Sequence, residues 1–234
     1  MKNPWDRFAE NYNSKVGEIG DIYHRTYLNP IIWEILGNIK NKIVLDLACG
    51  NGYFSNLLAK KGAKVIGIDY SRELIKFASL NKILDVNFIL GDASNLKFLK
   101  SNSFDIIISN MAFQDIKSID KTICECSRIL KKDGRLIFST LHPVFRISKK
   151  KEDKRGFFRE IREYMSLIEY KTSDKTILYN RPISYYTRLL FDNGFVITDF
   201  REITTKHSKG EPVLDKKALK HKKEIPTFLI VEAK

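Results

Sequence analysis

The sequence predicts an α/β protein built on a doubly wound sheet. The strongest observation is residues 44–55, where the apolar run Val44, Leu45, Asp46, Leu47, Ala48 enters a turn containing Gly50 and Gly52 and then a helix. The second is the recurrence of such runs at 65–69, 86–90, 104–110 and 135–140, several of them ending in a carboxylate or another polar group. The third is size: 234 residues, 43% of them apolar, fit one α/β domain with a good-sized core.

Each element has a local reason. Before the first strand, Asn29 and Pro30 read as an N-cap and a first helical residue, and Ile31, Ile32, Ile35, Leu36 and Ile39 follow at helical spacing, with Gly37 near the end. Aromatic and polar residues, including Trp5, Phe8, Tyr12, Tyr23, His24 and Tyr27, occupy the stretch ahead of that helix. At the first strand, Gly50 and Gly52 permit a tight bend and a close approach of backbone to ligand. The helix beyond offers unpaired N–H groups. A dinucleotide fingerprint wants a third glycine where Ser55 stands, so the turn suits a nucleoside without phosphates better than a pyrophosphate. Asp69 ends the second run 17 residues beyond Gly52, where a carboxylate grips ribose hydroxyls.

The third run leads into Gly91, Asp92 and Ala93, and the fourth ends at Asn110. Residues 129–134 read as the close of a helix and 135–140 as the fifth strand. Residues 146–180 start with Lys149, Lys150 and Lys151 and continue through Phe157, Phe158, Ile161, Tyr164, Met165, Leu167, Ile168 and Tyr170, an aromatic-rich insert suited to a substrate lid. Arg181, Pro182, Ile183 and Ser184 open another helix that Gly194 ends. Residues 195–200 and 227–232 form the last two strands, and the lysine-rich connection 204–226 is too polar to be buried and suits a flap on the substrate side.

With these motifs in order, the chain resembles class I S-adenosylmethionine-dependent methyltransferases, motif by motif over residues 40–145 and more loosely beyond. The resemblance implies a seven-stranded mixed, Rossmann-like sheet whose last strand inserts antiparallel beside the fifth. It implies S-adenosylmethionine as cofactor and S-adenosylhomocysteine as product. Asp46, Gly50 and Gly52 would line the methionine part, with Ala48 also at the cofactor, Asp69 would hold the ribose, and Tyr70 would pack on the adenine. Asp92 would accept from the adenine amino group with the Ala93 N–H at the ring edge, and the Asn110–Met111 backbone would meet the ammonium. The alternatives are turn or cap carboxylates for Asp46 and Asp92, and surface packing for Tyr70. Residues 8–12 resemble the N-terminal lid of small-molecule methyltransferases, in which Tyr12 would reach the cofactor carboxylate. Arg25 is the cation placed near that carboxylate, with a structural or surface role open for both residues. The stretch from Leu141 to Phe145 and the Arg-Pro-Ile-Ser stretch resemble a subgroup with histidine where this chain has Asn180.

Ligands of doubly wound sheets bind beyond the carboxyl ends of the strands, which puts His142 on the side of the transferable methyl group. It is the candidate general base, because imidazole titrates near neutral pH; the alternative is that it orders the turn before Pro143 or lines the pocket. Asp115 is a second candidate base or a helix cap. Cys49, Cys124 and Cys126 are odd in number and lack a second pair or a His cluster, so no metal site is expected, and reduced cysteines of a cytosol are. There is no apolar stretch of membrane-spanning length, and a cytoplasmic protein is expected. The expected organisation is one domain over 1–234: lid and helices (1–40), cofactor-binding core (41–145), substrate-side insert (146–180), and C-terminal helix and strand hairpin (181–234).

Net charge is +13; residues 1–130 hold 17 Lys and Arg against 14 Asp and Glu, and residues 131–234 hold 24 against 14. A basic substrate side favours an anionic small molecule or RNA. Most of the cations are lysines, and Asn110 to Phe113 departs from the Pro-Pro-aromatic motif of enzymes that methylate exocyclic base amines. The expected function is methyl transfer from S-adenosylmethionine to an O, N or C nucleophile of a small-molecule acceptor. An RNA methyltransferase and a non-catalytic S-adenosylmethionine-binding protein are the alternatives.

Overall fold

A computed structural model describes residues 3–83, 86–153, 156–173, 175–205 and 225–234. The chain opens with α1 (Pro4–Val16), a π-helical turn (His24–Leu28) and α2 (Asn29–Leu36). Alternating units follow: β1 (Ile43–Leu47), α3 (Tyr53–Lys60), β2 (Lys64–Asp69), α4 (Arg72–Leu80), β3 (Val86–Leu90), β4 (Phe104–Ser109), α5 (Ile119–Ile129) and β5 (Leu130–Leu141). Beyond them come α6 (Pro143–Ile147), the hairpin β6 (Ser148–Asp153) and β7 (Gly156–Ile161), and the hairpin β8 (Ile168–Lys171) and β9 (Ile177–Asn180). Helix α7 (Ile183–Asp192), β10 (Ile197–Ile203) and β11 (Phe228–Ala233) complete the described elements.

Seven strands form one sheet in the order β10-β11-β5-β4-β1-β2-β3. Pairing is parallel from β5 to β3, and β11 runs antiparallel to both β5 and β10. The fold is therefore the doubly wound mixed sheet that the sequence predicts. Apolar runs rather than alternating ones make these strands because both faces are covered. On one face, Leu45, Ile107, Phe138 and Leu229 pack with Ile123 of α5 and Leu190 of α7. On the other, Val44, Ile108 and Ile230 pack with Ile32 of α2 and with Phe54 and Leu58 of α3. All six residues of β11 are buried, wedged between its two neighbours.

Two local expectations shift. Asn29 does not cap α2, because the preceding π-helical turn runs straight into that helix; its buried side chain instead accepts from Asn110 Nδ2 at 3.2 Å. Helix α5 stops at Ile129, and β5 takes over at once. The insert is two β-hairpins, and of the connection 204–226 all but its ends lies outside the described residues. The side chains of Lys150, Phe157 and Phe158 also lie outside them.

Candidate active site

The carboxyl ends of β1, β2 and β4 converge on a cavity of about 290 Å³. The turn after β1 reaches it through two residues in the left-handed region, Ala48 (φ 58°) and Gly50 (φ 58°), both lining the cavity. A Cβ at Gly50 would stand 3.1 Å from the ring and hydroxyl of Tyr12, so the missing side chain lets α1 lie over the turn. Trp5 holds Tyr12 in place, edge to face at 5.5 Å, and Pro4, Trp5 and Tyr12 all line the cavity. Helix α1 is itself tied down by Asp6, whose carboxylate accepts from Ser71 Oγ (2.8 Å) and the Glu73 N–H (3.2 Å) at the start of α4.

Asp69 stands at the end of β2, buried and lining the cavity. Its Oδ2 accepts from the Gly50 N–H at 2.9 Å and its Oδ1 from the Ser71 N–H at 2.8 Å. One carboxylate thus joins the β1 turn, the β2 end and the α4 cap. Tyr70, Asp92 and Ala93 continue the wall on one side, and Asn110 and Met111 on the other. Asp92 accepts from the N–H and hydroxyl of Ser94, both at 2.8 Å, which fixes its loop. Asn110 is fixed by Tyr53 and Asn29 through its Nδ2 and by the Ser139 hydroxyl on its Oδ1 at 2.7 Å. Ile177 and Tyr179 of β9 close the far side, so the second hairpin of the insert does reach the site.

Four of the residues expected here lie elsewhere. Asp46 is not in the cavity wall: only 2% exposed, it sits beneath the turn and accepts from Ser55 Oγ at 2.6 Å. This bond also explains why a serine occupies the third fingerprint position, since it ties α3 to β1. Gly52 serves packing, because a Cβ there would fall 2.5 Å from the Phe88 ring and 2.9 Å from Ala78. Arg25 is exposed on the π-helical turn and its Nε donates to the Asp21 carbonyl, while its neighbour His24 points inward.

His142 is also absent from the cavity wall. It is 1% exposed, its Nδ1 accepts from the Val144 N–H (3.2 Å), and its Nε2 lies 2.8 Å from Glu202 of β10. An acceptor Nδ1 means that the proton sits on Nε2 and goes to the carboxylate. Burial lowers the imidazole pKa, with Glu202 partly opposing, so the ring is neutral near pH 7. Its place is structural: it fixes the exit of β5 against β10. His142→Ala is expected to cost about 1 to 3 kcal/mol of stability in a denaturation experiment, with nucleoside-ligand affinity unchanged in calorimetry.

Two buried acids set the electrostatics under the turn. Burial is the main cause that raises Asp46 to about 7, with Asp69 adding to it, and burial raises Asp69 to about 6. A carboxyl pKa raised in the folded state means that its stabilising contribution is full at low pH and lost as pH rises through that value. As pH falls from 8 to 6 the native protein is therefore expected to gain stability relative to an Asp46→Asn variant, a difference in which His142, common to both, cancels. Melting temperatures of both proteins across that window check this. An unchanged difference would mean that Asp46 does not titrate there.

The least legible part of the site is its frame. Arg181 is buried; its guanidinium donates to the carbonyls of Phe113 (3.2 Å), Ile116 (2.7 Å) and Lys117 (2.9 Å), and stacks over Tyr179 at 5.0 Å. It thereby clamps the loop after β4 to the end of β9. Among the described residues, the cavity wall carries Asp69, Asp92 and Asp115 against Lys117. No cluster of His, Cys, Asp and Glu able to hold a metal occurs among the described residues, and no described helix is long and apolar enough to cross a membrane.

This geometry has counterparts. Residues 38–181 match the family described as "Methyltransferase domain". A demethylmenaquinone methyltransferase of Thermotoga maritima is 33% identical over 141 residues, 59% of this chain and 60% of the relative. A malonyl-[acyl-carrier protein] O-methyltransferase of Hamiltonella defensa is 34% identical over 108 residues, 46% of this chain and 41% of the relative. The chain thus spans less than two thirds of the length of these relatives. A crystal structure of an S-adenosylmethionine-dependent methyltransferase from Mesorhizobium loti superposes with a TM-score of 0.74 at 22% identity, covering 87% of this chain and 95% of that one, and shows the same fold. The chain belongs to the methyltransferase-domain family, whose cofactor is S-adenosylmethionine.

Proposed function

We propose that this methyltransferase-domain protein transfers a methyl group from S-adenosylmethionine to a nucleophilic O, N or C atom of a small molecule. The observation that carries the reading is Asp69, a buried carboxylate at the end of β2 that both lines the cavity and holds the Gly50 turn. The residues fit the cofactor. Asp69 offers acceptors to ribose hydroxyls, Tyr70 and Asp92 a face and an acceptor to adenine, and the Gly50 turn with Tyr12 and Asn110 the polar surroundings of an amino-acid end.

When bound, the cofactor supplies a methyl group on a positively charged sulfur, and its loss leaves a neutral thioether. The chain's own contribution is placement, and holding two reactants in line can supply on the order of 7 to 11 kcal/mol. Helix α1 and hairpin β8–β9 contribute Trp5, Tyr12, Ile177 and Tyr179 to the cavity wall, where they would limit the access of water to a bound cofactor. His142 takes no part at the reacting atoms. Relatives named for demethylmenaquinone and for malonyl-[acyl-carrier protein] support a small-molecule or carrier-bound acceptor.

The test is incubation of the protein with methyl-labelled S-adenosylmethionine and a host extract, followed by separation of small-molecule, protein and RNA fractions. Label in the small-molecule fraction is expected. Label confined to RNA would assign the basic surface to that substrate instead, and binding without any label would leave a non-catalytic binding protein.

A further inference from the structure

The two ends of helix α1 are held by different means. Its C-terminal half is built into the core: Ala9 and Val16 are buried, and Asn51 Nδ2, on a side chain of a residue only 2% exposed, donates to Asn13 Oδ1 and to the Gly17 carbonyl, both at 2.9 Å. The N-terminal end is held by polar bonds near the surface. Asn3 caps the helix by accepting the Asp6 N–H at 2.8 Å, and its Nδ2 reaches across to the Tyr70 carbonyl at 3.1 Å. Asp6 Oδ1 accepts from Ser71 Oγ at 2.8 Å and from the Glu73 N–H at 3.2 Å, so a half-buried carboxylate of one helix caps another, at the end where the helix dipole favours negative charge.

This weaker end carries the cover of the cavity. Pro4 and Trp5 border the cavity beside Asp6, and Trp5 packs on Tyr12, which in turn rests on Gly50. A nucleoside seated against Asp69 and the Gly50 turn would lie beneath them. Ser71 joins the two sites, since its hydroxyl donates to Asp6 while its N–H donates to Asp69 Oδ1 at 2.8 Å.

We propose that Asp6 is a positioning residue of the methyl-transfer site: it latches the N-terminal end of α1 to α4, and release of that end is the step through which S-adenosylmethionine enters and S-adenosylhomocysteine leaves. This rests on the methyltransferase reading above. The bonds of Asn51 keep the other end in place, so the helix swings open and carries Trp5 and Tyr12 off the cavity without leaving the core. A few hydrogen bonds near the surface are a small obstacle beside the burial of Ala9 and Val16, and segments that admit ligands come from such weakly held parts of a fold. Asp6 itself touches no ligand and acts through α1 and Ser71.

Surface plasmon resonance with S-adenosylhomocysteine as the probe, on the immobilised native protein and Asp6→Ala, separates this from simple support of the site. A latch restrains the helix in both directions, so its loss is expected to raise the dissociation and the association rate constants together, each by about tenfold, the factor that one hydrogen bond to a partly exposed charged group produces. Asp6→Asn keeps the Oδ1 acceptor without the charge and is expected to fall between the two proteins. If Asp6→Ala does not fold, the same pair of rates in Asp6→Asn decides. Faster dissociation with association unchanged or slower is the signature of a damaged site and would overturn the latch, as would no change in either rate. Failure of the native protein to bind the probe would overturn the methyltransferase reading itself.

Discussion

Asp69→Ala is expected to weaken S-adenosylmethionine and S-adenosylhomocysteine alike by about 100-fold or more, because three functions share this carboxylate. It would meet the ribose hydroxyls, and it already accepts from the Gly50 and Ser71 N–H groups, one at the cofactor turn and one at the start of α4. Leaving a buried donor without its partner costs about 1 to 3 kcal/mol, and the variant does this on the protein side as well as on the ligand side. Asp69→Asn keeps one acceptor oxygen and is expected to fall between the two. Titration calorimetry separates the three proteins, and native-like affinity in Asp69→Ala would remove the ribose contact from the site.

Arg181→Ala is expected to have the largest effect on stability. The guanidinium is the shared donor to three carbonyls of the loop after β4, so its loss leaves one buried and two partly buried acceptors without it. A cost of roughly 3 to 5 kcal/mol follows, which in a chain of this size lowers the melting temperature by about 10 °C. Arg181→Lys keeps the charge but not the planar fork, and is expected to recover only a minor part. The same variants should loosen the cavity, because Tyr179 stacks on Arg181. A melting temperature within about 2 °C of the native value in Arg181→Ala would show that the loop is held by its other bonds alone.

What the sequence disclosed depends on how far each residue's partner lies along the chain. The five parallel strands, the Gly50 turn and Asp69 were legible because apolar runs, glycines and a carboxylate at set spacing are local signals. The two-glycine turn still misled at Gly52, whose lack of a side chain answers Phe88 and Ala78 rather than a ligand. Asp46 was placed one layer too close to the ligand, because Ser55 across the turn claims it. His142 read as a base from its position at the end of a strand, but Glu202, sixty residues on, takes its Nε2. Arg25 suits a carboxylate partner by residue type, but on the π-helical turn it is exposed while His24 beside it is buried. Arg181 carried no signal of its frame-holding role, since three carbonyl partners leave no trace in residue identity.

The wedge of β11 between β5 and β10 fixes an order of assembly. Residues 43–141 contain five strands that pair in parallel through short crossovers, so most of the sheet can form while later residues are still being synthesised. Until residues 228–233 arrive, β5 has an open edge, and filling it closes a loop of about 90 residues, an entropic cost that grows only as the logarithm of that length. Strand exposure, not loop length, is then the hazard during synthesis. A ribosome stalled late in this chain would display an apolar β5 edge, the kind of surface that chaperones bind and that drives edge-to-edge aggregation.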